Sequence, residues 1–574
     1  MKVCEKALEG QYLMFSHWYG DLGWPPDFSK DPKNGLHWSA GEHWLDSPDS
    51  LGGGADIKLV WEASRFSLAY YLGRAYARDG DERWANAFWE MFDAWVDQNP
   101  PQMSVNWQCG QEMTFRLMAI LFASTVTMPS AAATPERLYT AARLAWQTGR
   151  HIESNINYAR SQKNNHAISE ATALLTIGLL FSELMPAERW RRSGTRILAA
   201  EVKRQIYPDG SYVQHSMNYH RVMLDDLLWA VRLSELSDHP LPEAIGNRLQ
   251  LASDWLLEMT DFRSGRVPNY GANDGANVLP LSCSDYLDYR PTVQAAIYHN
   301  LGELPFEPGP WDEKRLWLFG QAEQDGPVAR EPGSSFRADS GGYYILRGED
   351  SWCMTRCHTY RDRPSQCDML HVDLWYRGIN LLRDGGSYMY NCSEPWQSFF
   401  YSTAAHNTVQ VDGAEQMAKG PRFLWFHWPE AEVDRFTETD DGIQFAGRHL
   451  GYMRLPGKVV HQRSIELQQD RWVVSDELSG TGKHGVTLRW RLAPAEWHRV
   501  PNGWAASVAD TKLRVGLQLN GTEIGQISQT EESLYYAERT TVPMLIAEAN
   551  CELPVLFRTE IAIGPPSEPR ASAG

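Results

Sequence analysis

The sequence predicts an α+β chain in two parts, a helical N-terminal part followed by an antiparallel β-sandwich. Three observations carry that prediction. Apolar residues recur at helical spacing from about residue 56 to 320, a Gly/Pro-rich stretch QAEQDGPVAREPGSSF follows at 321–336, and the segments beyond it are short, β-branched and aromatic. A chain of 574 residues exceeds what one core accommodates. The boundary is placed near 325, which divides the chain into 1–325 and 326–574.

In the first part, DIKLVWEASRFSLAYYLGRAYARDG reads as one helix closed by Gly80, and ERWANAFWEMFDAWVDQNPP as a second that ends at its prolines. NWQCGQEMTFRLMAILFASTV, TPERLYTAARLAWQTGRHIESNI, HAISEATALLTIGLLFSEL, PAERWRRSGTRILAAEVKRQI and RVMLDDLLWAVRLSEL continue the series. Short turns between them make antiparallel helical hairpins, and the period alone leaves a bundle, a solenoid and a closed α/α toroid open. In the second part, GGYYILRG, WCMTRCHTY, MLHVDLWYRG, INLLRDGGSYMY, NTVQVDG, KVVHQRSIELQQDRWVVSDEL and VTLRWRLA read as strands punctuated by Gly and Asp-Gly. That pattern is an antiparallel sandwich.

Hydrophobic content of 43% and charged content of 22% are those of a globular chain, with an excess of aromatics in 24 Trp and 24 Tyr. Flat rings suit sugars and helix cores alike. A formal charge of −18 argues against nucleic acid or an anionic membrane as partner. It leaves room for an acidic substrate held by a local Arg/Lys/His cleft. MKVCEKALEGQYLMF has no apolar signal core, so the chain reads as cytoplasmic if that N-terminus is native, and periplasmic or secreted if a signal was removed. The eight Cys are scattered and read as reduced thiols, and Cys353, Cys357, His358 and Cys367 match no familiar zinc-finger spacing.

Two helix entries are loaded with polar groups. In KNNHAISEA (163–171), Glu170 lies one turn beyond His166, where it can orient the ring; Asn164 or Asn165 can equally be a plain N-cap. In DGSYVQHSMNYHRVML (209–224), Ser216, Asn218, Tyr219 and His220 crowd before another apolar helix. A third entry carries Asn106, Gln111, Glu112 and Arg116, as sugar contacts or with Arg116–Glu112 as a surface pair. The loop PNYGANDGAN contributes Asn273 and Asp274, as cleft lining or as an ordinary turn. FLWFHWP (423–429) is a sugar platform or sandwich core. In the strand half, His371, Asp384 and His406 are two imidazoles and a carboxylate, a donor set suited to Zn²⁺.

Taken in order, NNHAISE, DGSYVQHSMNYH, the HVD and RDGGSYMY strands and AHNTVQVDG resemble the heparinase II/III-like polysaccharide lyases, and DIKLVWEASR and NWQCGQEMTFR look like that family's helical part. The resemblance implies an incomplete α/α toroid followed by a sandwich, with the cleft between them. It implies β-elimination at a uronic acid of an acidic polysaccharide or oligosaccharide, in which C5 loses a proton and the C4–O bond breaks. A C5–H beside an ionised carboxylate is hardly acidic, so preorganised donors must first take up the charge of the carboxylate. The resemblance gives that task to Asn165 and His166, and proton transfer to Tyr219. Arg160, His220 and Arg221 are the cations expected to lower the phenol's pKa. His371, Asp384 and His406 become a structural Zn²⁺ site, and Arg363 and Tyr388 join the substrate contacts.

One position departs from the family. A second catalytic histidine two residues before the first metal ligand is replaced by Met369, so Tyr219 does both proton transfers in a syn elimination or another group, such as His358, Arg363 or Gln366, substitutes. Two other readings compete: a hydrolase on the same scaffold, with Asp274 and Glu170 as its carboxylate pair, and a non-catalytic carbohydrate-binding protein. The polymer stays open among glycosaminoglycan, alginate and gellan-type chains, and the acidic balance leans towards a non-sulfated one.

Overall fold

The computed structural model describes residues 1–564, except 53, 322–331, 422–423, 440–441, 469–470 and 510. The linker expected at 321–336 therefore lies largely outside the described residues. The chain separates into two compact units that cross back in sequence. One unit comprises Met1–Thr260, Asn273–Glu331 and Met389–Gln397; the other comprises Asp261–Ala272, Pro332–Tyr388 and Ser398–Gly574.

The first unit is helical: α1 (Lys2–Leu8), α2 (Ile57–Ser64), α3 (Ser67–Asp79), α4 (Glu82–Gln98), α5 (Gly110–Val126), α6 (Pro135–Ser161), α7 (Asn165–Leu180), α8 (Ala187–Gln205), α9 (Met217–Leu236), α10 (Glu243–Glu258), α11 (Arg290–Leu301) and α12 (Asp312–Phe319). Helices α5, α7 and α9 are buried on nearly every face, as their continuous apolar runs demand, whereas α6 and α8 bury one stripe each. Packing between α7 and α8 rests on two glycines. A Cβ on Gly178 would meet Arg191 N at 2.5 Å, and one on Gly194 would meet Leu175 N at 2.6 Å, so only hydrogen fits between the backbones.

The single helix expected over DIKLVWEASRFSLAYYLGRAYARDG is broken. Phe66 takes a left-handed φ of +61° between α2 and α3, and Phe66 is fully buried. A break there turns the chain so that Lys58 and Arg65, both on α2's inward side, meet carboxylates from two other segments. Periodicity carries no sign of such a turn.

The second unit is antiparallel β throughout its named sheets. Strands Phe336–Ala338, Tyr343–Arg347, Ser351–Arg356, Val372–Tyr376 and Ile379–Leu382 pair in chain order as a five-stranded sheet. A nine-stranded sheet runs from Ala431–Thr439 through Val460–Gln468 and Val555–Ile563 to His498–Val500, and a four-stranded sheet includes Lys483–Arg491 and Val409–Val411. One core with Tyr344, Leu374, Leu382, Phe445, Trp472, Trp490 and Phe557 lies between them. All eight cysteines are free thiols, as expected. No helix among the described residues is long and apolar enough to cross a membrane.

Candidate functional site

In the helical unit, two helix entries meet through side chains. Asn164 is the N-cap of α7, accepting from His166 N at 3.2 Å, and this leaves the neighbouring Asn165 amide for other work. The Asn165 backbone N–H donates to Gln214 Oε1 at 2.8 Å, which ties α7 to the loop entering α9. Asn165 Nδ2 donates to Gln111 Oε1 of α5, and Ser169 Oγ donates to Asp226 Oδ2 of α9 at 2.5 Å. Ser216 caps α9 through Tyr219 N at 3.1 Å. His166 stays partly exposed, with Cys109 Sγ 3.7 Å from its Nδ1.

The Tyr219 hydroxyl lies 2.6 Å from the hydroxyl of Tyr390, a residue absent from the sequence-based expectations. Burial and then the Asp274 charge push the Tyr219 phenol well above its ordinary pKa, while the Tyr390 hydrogen bond and Arg65 pull it back. Burial and the neighbouring Tyr219 raise Tyr390 as well. Tyr219 is thus an acid at neutral pH, and its hydrogen bond with Tyr390, together with the Arg65 charge, eases its deprotonation.

Beside the phenols lies a buried ion cluster. Lys58 Nζ bonds Asp274 Oδ2 at 2.9 Å and Glu112 Oε1 at 3.3 Å; Arg65 reaches Glu112 at 2.5 and 2.8 Å, Glu62 at 2.9 Å and Asp274 at 3.2 Å. Asn218 Nδ2 donates to Asp274 Oδ1 at 3.2 Å. Burial opposes the charge on Glu112, but Arg65 and Lys58 hold its carboxyl down at about 2. Asp274 is held well below the carboxylate range by Lys58 and Arg65, against its burial. Burial lifts Glu62 to about 7 against the pull of Arg65. Sequence did carry a signal here, since Lys58 and Arg65 are cations seven residues apart on the apolar side of one helical period.

Several expected contacts are interior supports. Asn106 is buried and holds Phe28 O and Asn99 Oδ1. Gln111 is buried and holds Asn165. Glu112 and Arg116 form no surface pair: both are buried, and Arg116 donates to Ser64 O and Asn106 O above the Trp95 ring. Glu170 makes no hydrogen bond to His166; it packs against Gly110, Oε2 is buried without a partner, and desolvation lifts its carboxyl to about 8. His220 Nε2–H donates to Ala252 O at 2.8 Å while the ring stacks on Trp255, and burial lowers its pKa to about 4. Arg221 lies against the Tyr286 and Tyr289 rings, and Arg160 is exposed 3.8 Å from Glu201. The cation acting on Tyr219 is Arg65, and none of the three expected ones. Asn273 accepts from Tyr286 and Gly275, and Asp274 is fully buried, held by Lys58 and Arg65 on one oxygen and by Asn218 and the Ala276 amide on the other. Asp274 and Glu170 therefore cannot flank a glycosidic bond as a hydrolase pair.

In the sandwich unit, His371, Asp384 and His406 come together with ligand atoms within 4.8 Å of one another, all buried. His406 Nδ1 bonds Asp384 Oδ2 at 2.8 Å, and Gly386 N donates to Asp384 Oδ1 at 2.7 Å. The Nε2 atoms of His371 and His406 are buried without hydrogen-bond partners. Orphaned ring nitrogens beside a carboxylate fit a divalent cation. Asn407 N donates to His371 Nδ1 at 3.0 Å, which keeps that ring's proton on Nε2 until a cation displaces it.

Other expected positions in this unit are spoken for. Met369 is core, its sulfur accepting from His358 N at 3.2 Å. Gln366 donates to Gly386 O, burial lowers His358 to about 3, Arg363 is partly exposed, and Tyr388 packs near Phe400 and under Arg539. Within FLWFHWP, Trp425 is buried while Leu424, Phe426 and Trp428 are exposed, and Phe423 lies outside the described residues.

Two family models match. Residues 22–295 match the Heparinase II/III N-terminus, and residues 330–551 match Heparinase II/III-like, C-terminal. A heparin-sulfate lyase of Bacteroides thetaiotaomicron is 24% identical over 453 residues, covering 73% of this chain and 59% of that protein. A heparin-sulfate lyase of Pedobacter heparinus is 27% identical over 469 residues, covering 76% of this chain and 62% of that one. The chain thus spans about three fifths of the length of these relatives. The crystal structure of heparinase III superposes with a TM-score of 0.70 at 19% identity, over 91% of this chain and 79% of that one. The likeness shows the fold, an α/α toroid followed by antiparallel sheets.

Proposed function

We propose, from the premise that this chain belongs to the heparinase II/III-like family, that it is a polysaccharide lyase cleaving a uronate-containing chain by β-elimination. The observation that carries the reading is the Tyr219–Tyr390 phenol pair at 2.6 Å, beside helix entries that hold Asn165 and His166. Asn165 and His166 bind the uronate carboxylate and take up the charge that builds when C5 loses its proton. Each such donor contributes about 3–4 kcal/mol to the transition state. Tyr219 gives its proton to the departing O4 and is restored by the C5 proton, which reaches it on the same face of the sugar. A phenol held above its ordinary pKa suits the acid half of that exchange, and Tyr390 eases the base half. No group at position 369 takes part, since Met369 is core.

The names of the relatives make a heparin-sulfate-type glycosaminoglycan the first substrate to test. His371, Asp384 and His406 would hold Zn²⁺, which supplies cross-linking charge to the strands of the sandwich and no nucleophile, because elimination consumes no water.

The test is ultraviolet absorbance of the conjugated unsaturated uronate, with reducing ends counted in parallel. Tyr219→Phe is expected to lower turnover by on the order of 10²–10⁴ with its melting temperature retained. Reducing ends without absorbance would sink the elimination reading.

A further inference from the structure

The outer faces of α6 and α8 carry a charge opposite to that of the whole protein. Between them, Pro135–Ser161 and Ala187–Gln205 hold ten Arg and Lys against four Glu, a formal +6 in a chain of −18. On α6, Tyr139, Arg143, Trp146 and Arg150 follow one another at four- and three-residue steps along one face, and all four are exposed. Tyr139 is 69% exposed and Trp146 40%. On α8, Arg189, Arg192, Arg196 and Lys203 line a single face in the same way, again all exposed. Arg189 joins the helices through Glu153 at 2.7 and 2.9 Å, and Gly149 lets the Trp190 ring close the seam.

On the same helix Arg191 and Arg192 are neutralised by Glu188. Among the described residues Arg143, Arg196 and Lys203 form no ion pair, and Arg150 acts on Glu153 through its charge without closing an ion pair. The Arg150 guanidinium instead lies 5.9 Å from the Trp146 ring centroid. Exposed rings alternating with guanidiniums offer flat faces to sugar rings and forked donors to carboxylate or sulfate. The α6 face extends about 16 Å from Tyr139 to Arg150 at ~1.5 Å per residue, and the helix ends at Ser161, just before the entry bearing Asn165 and His166.

We propose that this α6/α8 face is an auxiliary binding surface for the acidic polysaccharide itself, gripping stretches of the polymer that the reaction does not touch. The proposal rests on the lyase reading for its choice of polymer. Locally concentrated positive charge on an otherwise acidic protein attracts a polyanion to this face in particular, and weakens with salt because the groups are exposed.

The test compares long heparan sulfate with its tetrasaccharide on the full chain, wild type and Arg143→Ser/Arg150→Ser/Arg196→Ser/Lys203→Ser. The expected result is a roughly tenfold loss of affinity for the polymer at low salt, from four exposed cations, with turnover of the tetrasaccharide unchanged. Trp146→Ser alone is expected to weaken polymer binding without altering its salt dependence. Equal polymer affinity in wild type and the quadruple variant overturns the proposal. So does a wild-type dimer in sedimentation that the variant dissolves, which would make the face a contact between copies, or tighter binding to duplex DNA than to polysaccharide. Failure of the lyase reading looks different: the surface would still bind polymer, but no unsaturated product would form from either substrate.

Discussion

The helical unit and the sandwich unit each bury a cluster of ionisable side chains, and they complete those clusters differently. In the helical unit, Lys58, Arg65, Glu112 and Asp274 satisfy one another, with Asn218 and the Ala276 amide filling remaining acceptor sites on Asp274. In the sandwich, His371 and His406 each keep a buried nitrogen without a hydrogen-bond partner beside Asp384. A cluster closed by its own members can set an electrostatic field for a neighbouring phenol without any ligand. A cluster that leaves buried ring nitrogens unpartnered beside a carboxylate marks a place where an external cation fits.

The largest test of that contrast is Asp274→Asn. It strands Lys58 and part of Arg65 in a buried site, and removing one partner of a buried pair costs about 3–5 kcal/mol. A urea titration should show the midpoint falling steeply, and Tyr219 losing the anion that raises its pKa. A loss below about 0.5 kcal/mol would mean that water reaches the cluster and that its closure is illusory. In the sandwich, chelation followed by dialysis should lower the melting temperature and release one divalent ion per chain. An ion held at a thousandfold excess over its dissociation constant stabilises the fold by about 4 kcal/mol. His406→Ala should abolish both the bound ion and the response to chelator. An unchanged melting curve with no metal in the protein would show that the two imidazoles tolerate their bare nitrogens.

Much of the fold was legible because it rests on period and punctuation. The runs that became α5, α7 and α9 are apolar on all sides, and those helices are the buried ones. The entry residues Asn165 and Tyr219 announced themselves as polar groups at the mouths of apolar helices. What sequence could not show was partnership across long separations. Lys58 meets Asp274 across 216 positions and Tyr219 meets Tyr390 across 171, and no local pattern encodes either. Asn106, Glu112, Arg116 and Asp274 read equally as sugar contacts or as surface-pair and turn residues, because polarity in sequence does not distinguish a cleft, a surface or a buried network. Net charge, on which the expectation of a non-sulfated polymer rests, averages over local features such as the cations of α6 and α8.

Glu170 offers the smallest effect and the sharpest separation between roles. It is a buried carboxyl with no charge partner, raised from an ordinary 4.5 to about 8. A carboxyl raised on folding stabilises the native state fully below pH 4.5, where both states are protonated. Stability is then lost as pH rises towards 8, because the unfolded chain ionises first. At pH 7 the loss is roughly 3 kcal/mol at 1.36 kcal/mol per pH unit. Glu170→Gln removes the titration, so the variant should melt higher than wild type at pH 7, with the advantage gone below pH 4.5. Turnover should persist, because Glu170 supports the packing at Gly110 and takes no proton in the elimination. If the variant instead keeps its wild-type pH profile of stability and loses activity, Glu170 is ionised and catalytic, and the helical unit would hold an uncompensated charge that the comparison with the sandwich denies it.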